Sequence, residues 1–200
     1  MSFRLGLTGS IGVGKTVTAK FFEKHGCAVW NADEVVSRLY KQHKETINSI
    51  AKLVPEAKKE GKISKEVLRR AVFKNPHLLE DIEKIVHPLV SRDRLSFMEN
   101  EKRDILVFEI PLLYETKGQN AMDAVACVNI DKNIQRERVL SRGTMGNRQF
   151  EKILSKQIPT KEKLQKADFE IVTDSFENVE QQVLKIIKHI RESLNARNST

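Results

Sequence analysis

Residues 4–22 read RLGLTGSIGVGKTVTAKFF: an apolar run breaks into glycines, meets a lysine and resumes as a helix-forming pattern. Gly9 to Thr16 has the spacing G-x-x-x-x-G-K-S/T, in which glycines let successive backbone N–H groups turn inward around a polyphosphate. In such a loop Lys15 is a point charge for the β and γ phosphates and the Thr16 hydroxyl is a ligand for Mg²⁺. The flanks agree with this reading. Residues 3–8, FRLGLT, form a short strand-like run. Val17, Phe21 and Phe22 then fall at helical spacing before Gly26 supplies a stop. The helix that follows aims its free N–H groups and positive dipole end at the anion.

Composition bounds what surrounds the loop. Two hundred residues, 40% hydrophobic and 31% charged, suit a globular protein with one well-buried domain and room for an inserted subdomain. Lys and Arg exceed Asp and Glu by 35 − 27 = 8, which points to acidic partners such as nucleotides or coenzyme phosphates. Between Asp131 and Lys166 there are ten basic and four acidic residues, so most of the excess sits in one segment. That segment is either a solvated helix surface or a phosphate clamp. A nucleic-acid partner is not expected: aromatic residues make up only 6% and no recognition motif occurs. Cys27 and Cys127 stand a hundred residues apart beside apolar runs, as expected of buried reduced thiols rather than a disulfide or metal site. No signal peptide and no apolar run long enough to span a bilayer is present, so a cytoplasmic protein without a membrane partner is expected.

Strand-like runs recur at 27–32 (CAVWNA), 105–110 (ILVFEI), 124–130 (AVACVNI) and 169–173 (FEIVT), separated by helical patterns. Apolar strands alternating with helices predict an α/β fold: a five-stranded parallel sheet covered on both faces, with ligands at the carboxyl ends of its strands. The gap between the second and third strands is too long for one crossover helix. It predicts a helical insert over residues 34–103, leaving 1–33, 104–135 and 160–200 as the nucleotide-binding core. In the insert, Asn75-Pro76 reads as a helix start, and Leu78, Leu79, Ile82, Ile85, Val86 and Leu89 as one core-facing stripe.

Four further features can carry chemistry. Asp33, at the end of the second strand, either aims a hydroxyl at the γ-phosphate or caps a helix beginning at Glu34. Glu109, ending the third strand, is either an acidic partner for Mg²⁺ or a strand terminus followed by a proline turn and a buried leucine pair. His87-Pro88 should kink or end its helix, with the histidine lining a pocket or serving as a hydrogen-bonded structural residue. Arg138 and Arg142 are four apart and share a helix face, with Gly143 and Gly146 beyond them as a flexible turn. Such a segment, residues 136–159, suits a lid whose arginines stabilise a transferring phosphoryl group. Arg136 and Arg148 do not share that face.

LTGSIGVGKT, NAD, HPLV, EIPLLYE, QRERVLSR and KADFEIV, in this order, resemble the dephospho-coenzyme A kinase family over nearly the whole chain. The resemblance implies a P-loop kinase fold with a core, a helical acceptor-binding domain and a lid. It implies transfer of the γ-phosphoryl of ATP, with Mg²⁺, to the ribose 3′-hydroxyl of dephospho-coenzyme A. It further implies that Ile11, Gly12, Val13, Gly14, Lys15 and Thr16 bind ATP with Arg138 and Arg142, and that Asp33, Lys15 and Arg142 are catalytic. Asp33, His87, Pro88, Pro111, Leu112, Leu113 and Glu115 would serve the acceptor, and Thr16 and Glu109 the metal. Three positions depart from the family pattern: Ser10 for a usual glycine, Asn31 for a common aspartate, and Thr173 where asparagine often stands near the adenine.

Overall fold

The computed structural model describes residues 2–198. Its described residues divide into two compact units: those up to Trp30 together with those from Glu101 onward, and Asn31–Asn100. In chain order the elements are β1 (Phe3–Thr8), α1 (Lys15–Lys24), β2 (Ala28–Asn31), α2 (Ala32–Gln42), α3 (Lys44–Leu53), β3 (Lys58–Lys59), β4 (Lys62–Ile63) and α4 (Lys65–Lys74). They continue as α5 (His77–Asn100), β5 (Ile105–Glu109), β6 (Ala124–Asn129), α6 (Lys132–Ser141), α7 (Asn147–Leu154), α8 (Thr160–Lys166), β7 (Phe169–Val172) and α9 (Phe176–Asn198).

The five apolar runs all become strands of one sheet, in the order β2-β5-β1-β6-β7, each within a residue or two of the expected bounds. β1 lies between β5 and β6, parallel to both, with Leu5 opposite Val107 on one side and Ala124 on the other. The chain leaves β1 where its two neighbours come from later in the sequence, the switch point at which open α/β sheets bind ligands. Alternation along β1 sends Phe3, Leu5 and Leu7 into a core shared with Val107, Val128, Ile171, Phe22 of α1 and Val183, Ile187 and Ile190 of α9. On the other face, Gly6 lies under Leu113 and Met122; a Cβ there would stand 2.7 Å from Leu113 Cδ2. Leu113 is fully buried but Leu112 is 43% exposed, so the two leucines do not form the buried pair of the second Glu109 reading. Among the described residues no helix is long and apolar enough to cross a membrane.

The second unit packs α2 to α5 around Tyr40, Ile47, Ile50, Leu68, Ile82 and Val86. The stripe on α5 is therefore core at Ile82 and Val86, while Leu79 is 44% exposed. Asn75 does mark the helix start, its Oδ1 accepting from His77 N–H at 3.3 Å. Pro88 does not end α5, which continues through it to Asn100. The missing N–H removes one rung of the ladder, and burial of the flanking Ile82 and Val86 holds the rest. The unit also contains a small antiparallel hairpin, β3 with β4, not expected from the sequence. Its turn places Glu60 and Gly61 at φ 50° and 76°, the left-handed pair a two-residue hairpin demands.

Candidate active site at the phosphate loop

The loop between β1 and α1 is shaped by glycines that nothing larger could replace. Gly9 has φ 148°, and a Cβ on it would lie 2.5 Å from the backbone oxygen of Val128. Gly12 has φ 79°, and its Cβ would meet Val139 Cγ2 of α6 at 2.2 Å. Ser10, by contrast, is not among the described residues with positive φ, so the side chain that departs from the family glycine carries no backbone strain. It is buried, and its hydroxyl is hydrogen-bonded to Thr160 Oγ1 at 3.0 Å.

Gly14, at φ 97°, caps α1 without a side-chain hydrogen bond. The next residue, Lys15, curls its ammonium back over the loop, donating to the carbonyls of Gly9 and Ser10 at 2.9 Å each. Thr16 donates its hydroxyl to Glu109 Oε1 at 2.9 Å. That contact joins the start of α1 to the end of β5, 93 residues apart, and brings together the two side chains expected to serve a metal. Glu109 is 4% exposed. A buried carboxylate beside a hydroxyl is a hard oxygen donor set of the kind Mg²⁺ takes.

Around this centre the loop is braced by residues the sequence reading undervalued. Thr173, just after β7, donates to Val13 O at 2.6 Å and accepts from Arg138 Nη1 at 3.3 Å. Arg138 also donates through Nη2 to Thr173 O at 2.9 Å. Gln135 Nε2 donates to Ile11 O at 2.6 Å, and Ile11 N–H donates to Gln157 Oε1 at 3.3 Å. Arg142, at the C-terminal end of α6, is exposed, and so are Arg136 within α6 and Arg148 on α7; of the four arginines only Arg138 is drawn in, onto Thr173. Eight of the ten basic residues of the 131–166 segment, Arg142 among them, are exposed; Arg138 is half-buried and Lys163 has no exposed side-chain surface.

Lys163, on α8, pairs with Glu115 Oε1 at 2.8 Å, and the same carboxylate accepts from Ile158 N–H at 2.9 Å. Burial pushes the Glu115 carboxyl up, but Lys163 and the backbone N–H groups of Glu115 and Ile158 outweigh it, so its pKa lies below the ordinary value. Glu115 Oε2 and the Tyr114 hydroxyl are buried with no hydrogen-bond partner among the described residues. Burial also pushes Tyr114 up to about 12, and the Cys27 and Cys127 thiols up to about 12 and 11. Both cysteines are free and buried, as expected. Asp168 of the KADFEIV stretch accepts from Val125 N–H at 2.8 Å, fastening the approach to β7 against β6.

In the other unit, the helix that follows β2 begins at Ala32 and its N-cap is Asn31, whose Oδ1 accepts from Glu34 N–H at 3.0 Å. The alternative in which Asp33 caps a helix starting at Glu34 therefore falls: the capping task belongs to the asparagine that replaces the common aspartate. Asp33 stands exposed in the first turn of α2. His87 and Pro88 are exposed on α5.

A glycine loop leaving the central strand of a parallel sheet, with a lysine and a threonine opening the next helix, defines a P-loop kinase fold. The sequence model of the dephospho-CoA kinase family matches residues 3–178. A dephospho-CoA kinase of Ruegeria pomeroyi is 48% identical over 96% of this chain and 97% of its own length. The chain belongs to the dephospho-CoA kinase family, which phosphorylates dephospho-CoA with ATP in the final step of CoA biosynthesis. Among solved structures, the Thermus thermophilus protein TT1252 superposes with a TM-score of 0.83 at 26% identity, covering 94% of this chain and 97% of the other. Dephospho-CoA kinase from Campylobacter jejuni superposes at 0.63, also at 26% identity and with the same coverage.

Proposed function

We propose that this chain transfers the γ-phosphoryl of ATP to the ribose 3′-hydroxyl of dephospho-coenzyme A, with Lys15, Asp33 and Arg142 as its catalytic side chains. The observation that carries the reading is the Thr16–Glu109 contact at the mouth of the phosphate loop. Mg²⁺ would be held there by Thr16 and Glu109, and when bound it neutralises charge on the β and γ phosphates.

The chain's own residues supply the rest. The loop from Ile11 to Thr16 binds the phosphates through the backbone N–H groups of Gly12 to Thr16, that of Ile11 being given to Gln157, and Lys15 moves from the Gly9 and Ser10 carbonyls to the phosphate oxygens. A carboxylate is far too weak a base to strip an alcohol hydroxyl in the ground state. Asp33 therefore aims the hydroxyl and receives its proton late, as bonding to phosphorus develops in a loose transition state. Arg138 and Arg142, on the segment 136–159 acting as a lid, stabilise charge spread over the phosphoryl oxygens and exclude water. For the acceptor we assign His87 and Pro88 in the helical unit, and Pro111, Leu112, Leu113 and Glu115 after β5. Leu112 supplies exposed apolar surface, whereas Leu113 and Glu115 hold the turn from below. The buried thiols fit a reducing cytoplasm.

The test is incubation of purified protein with Mg-ATP and dephospho-coenzyme A, following coenzyme A and ADP by mass spectrometry, with adenylate and no acceptor as controls. Equal, acceptor-dependent amounts of both products are expected. ADP without coenzyme A would refute the acceptor assignment and leave the nucleotide loop.

A further inference from the structure

Ile11 is held on both sides by carboxamides from outside the phosphate loop. Gln135, buried on α6, meets its carbonyl at 2.6 Å, and Gln157, between α7 and α8, meets its N–H at 3.3 Å. The orientation of each amide is forced, since a carbonyl can be met only by the NH₂ group and an N–H only by the oxygen. These two glutamines lie at the two roots of the segment 136–159, one residue before it and two before its end. The neighbouring loop residues are gripped from the same two stretches of chain. Ser10 bonds Thr160, three residues beyond Gln157, and Gly12 packs on Val139, four residues beyond Gln135.

From this arrangement we propose that Gln135 and Gln157 are positioning residues for phosphoryl transfer, fixing the phosphate loop through the two backbone groups of Ile11 and tying it to both roots of the lid. The proposal rests on the kinase reading above. Neither side chain touches the reacting atoms. Their effect is to hold the loop's N–H groups in the arrangement a polyphosphate needs before it arrives, so their loss falls on nucleotide affinity and leaves acceptor affinity alone.

The test uses Gln135→Met and Gln157→Met, which keep side-chain length and remove the hydrogen bond, together with the double variant. ADP affinity is measured by calorimetry, KM for each substrate by coenzyme A formation, and folding by thermal melting. Each single variant, melting close to the wild type, should bind ADP about fivefold more weakly, the scale of one neutral hydrogen bond. KM for ATP should rise in step and KM for dephospho-coenzyme A stay unchanged. Because both act on Ile11, the double variant should lose much less than the roughly twenty-five-fold product of the two. Unchanged ADP affinity in folded single variants, a full multiplicative loss, or a rise confined to the acceptor KM would each overturn the proposal. Should the wild type form no coenzyme A, the kinase reading fails, while the ADP affinities still decide whether the glutamines position the loop.

Discussion

Replacing Lys163 by methionine removes the cation that pairs with Glu115 while keeping much of the apolar stem's volume. The lysine side chain has no exposed surface and that of Glu115 is 16% exposed, so the variant leaves a carboxylate largely out of water with one backbone N–H, from Ile158, still bonded to it. Breaking a buried pair on one side costs about 3–5 kcal/mol, and the residual exposure of Glu115 favours the lower end, about 3 kcal/mol. Unfolding entropy near 2.1 cal/mol/K per residue gives about 420 cal/mol/K for the whole chain and about 270 for the sheet-bearing unit alone. The expected fall in Tm at pH 7 is therefore about 7 °C if the chain melts as one and about 11 °C if that unit melts alone. Glu115→Gln added to Lys163→Met keeps an acceptor for Ile158 and buries no charge, so the double variant should recover most of the loss, to within about 3 °C of the wild type. pH separates the two causes further. In the wild type the Glu115 pKa is depressed, so its contribution is present above the ordinary value of 4.5 and is lost as pH falls through the lower folded value. In Lys163→Met the lysine's lowering is lost while burial and the backbone N–H groups remain, so the Glu115 pKa lies above that of the wild type and this variant should gain on the wild type as pH falls. A double variant melting as low as Lys163→Met, or lower, would refute the charge argument and assign the loss to packing.

Asp33→Asn should cut turnover at least about a hundredfold while ADP affinity, measured by calorimetry, stays unchanged, since only the proton acceptor is lost. Glu109→Gln should weaken Mg²⁺ binding: the concentration giving half-maximal rate should rise several-fold, checked by titrating Mg²⁺ at fixed ATP. Both thiols should resist alkylation at pH 8 in the folded protein and react fully in denaturant, because burial holds them at about 12 and 11. Gly9→Ala should abolish nucleotide binding and lower Tm, because its Cβ would meet a strand's backbone oxygen at 2.5 Å, which cannot rotate away.

The sheet was legible because each strand carries an apolar run with a clear end, and the phosphate loop because glycine and lysine spacing leaves little else that the strand and helix could enclose. What stayed hidden is what depends on partners far apart in sequence. Gln135 and Gln157 have no periodicity or motif that reveals a shared bond to Ile11, and Lys163 reads as one more positive charge in a basic helix until Glu115 is found beneath it. Thr173 reads from the sequence only as a departure near the adenine, yet its hydroxyl is fixed between Val13 and Arg138. Asn31 looked like a lost carboxylate and is the cap of α2. One signal was present for the last of these: asparagine three residues before a glutamate at a strand end is a helix-start pattern, and giving Asn31 the cap would have removed the structural reading of Asp33 from sequence alone.

The same residues explain why this loop tolerates a serine at position 10. A family glycine there would leave the loop free to sample left-handed conformations, whereas Ser10 keeps an ordinary φ and its hydroxyl is hydrogen-bonded to that of Thr160. That bond adds a third tie, beside the two at Ile11, between the loop and the chain flanking residues 136–159. The departure is thus coupled to Thr160, so Ser10→Gly and Thr160→Val should each loosen the loop by a similar amount, and combining them should add little. Nucleotide affinities of the two single variants and the double variant, measured by calorimetry, check this; losses that multiply would show that the two hydroxyls act independently and that the serine is tolerated for some other reason.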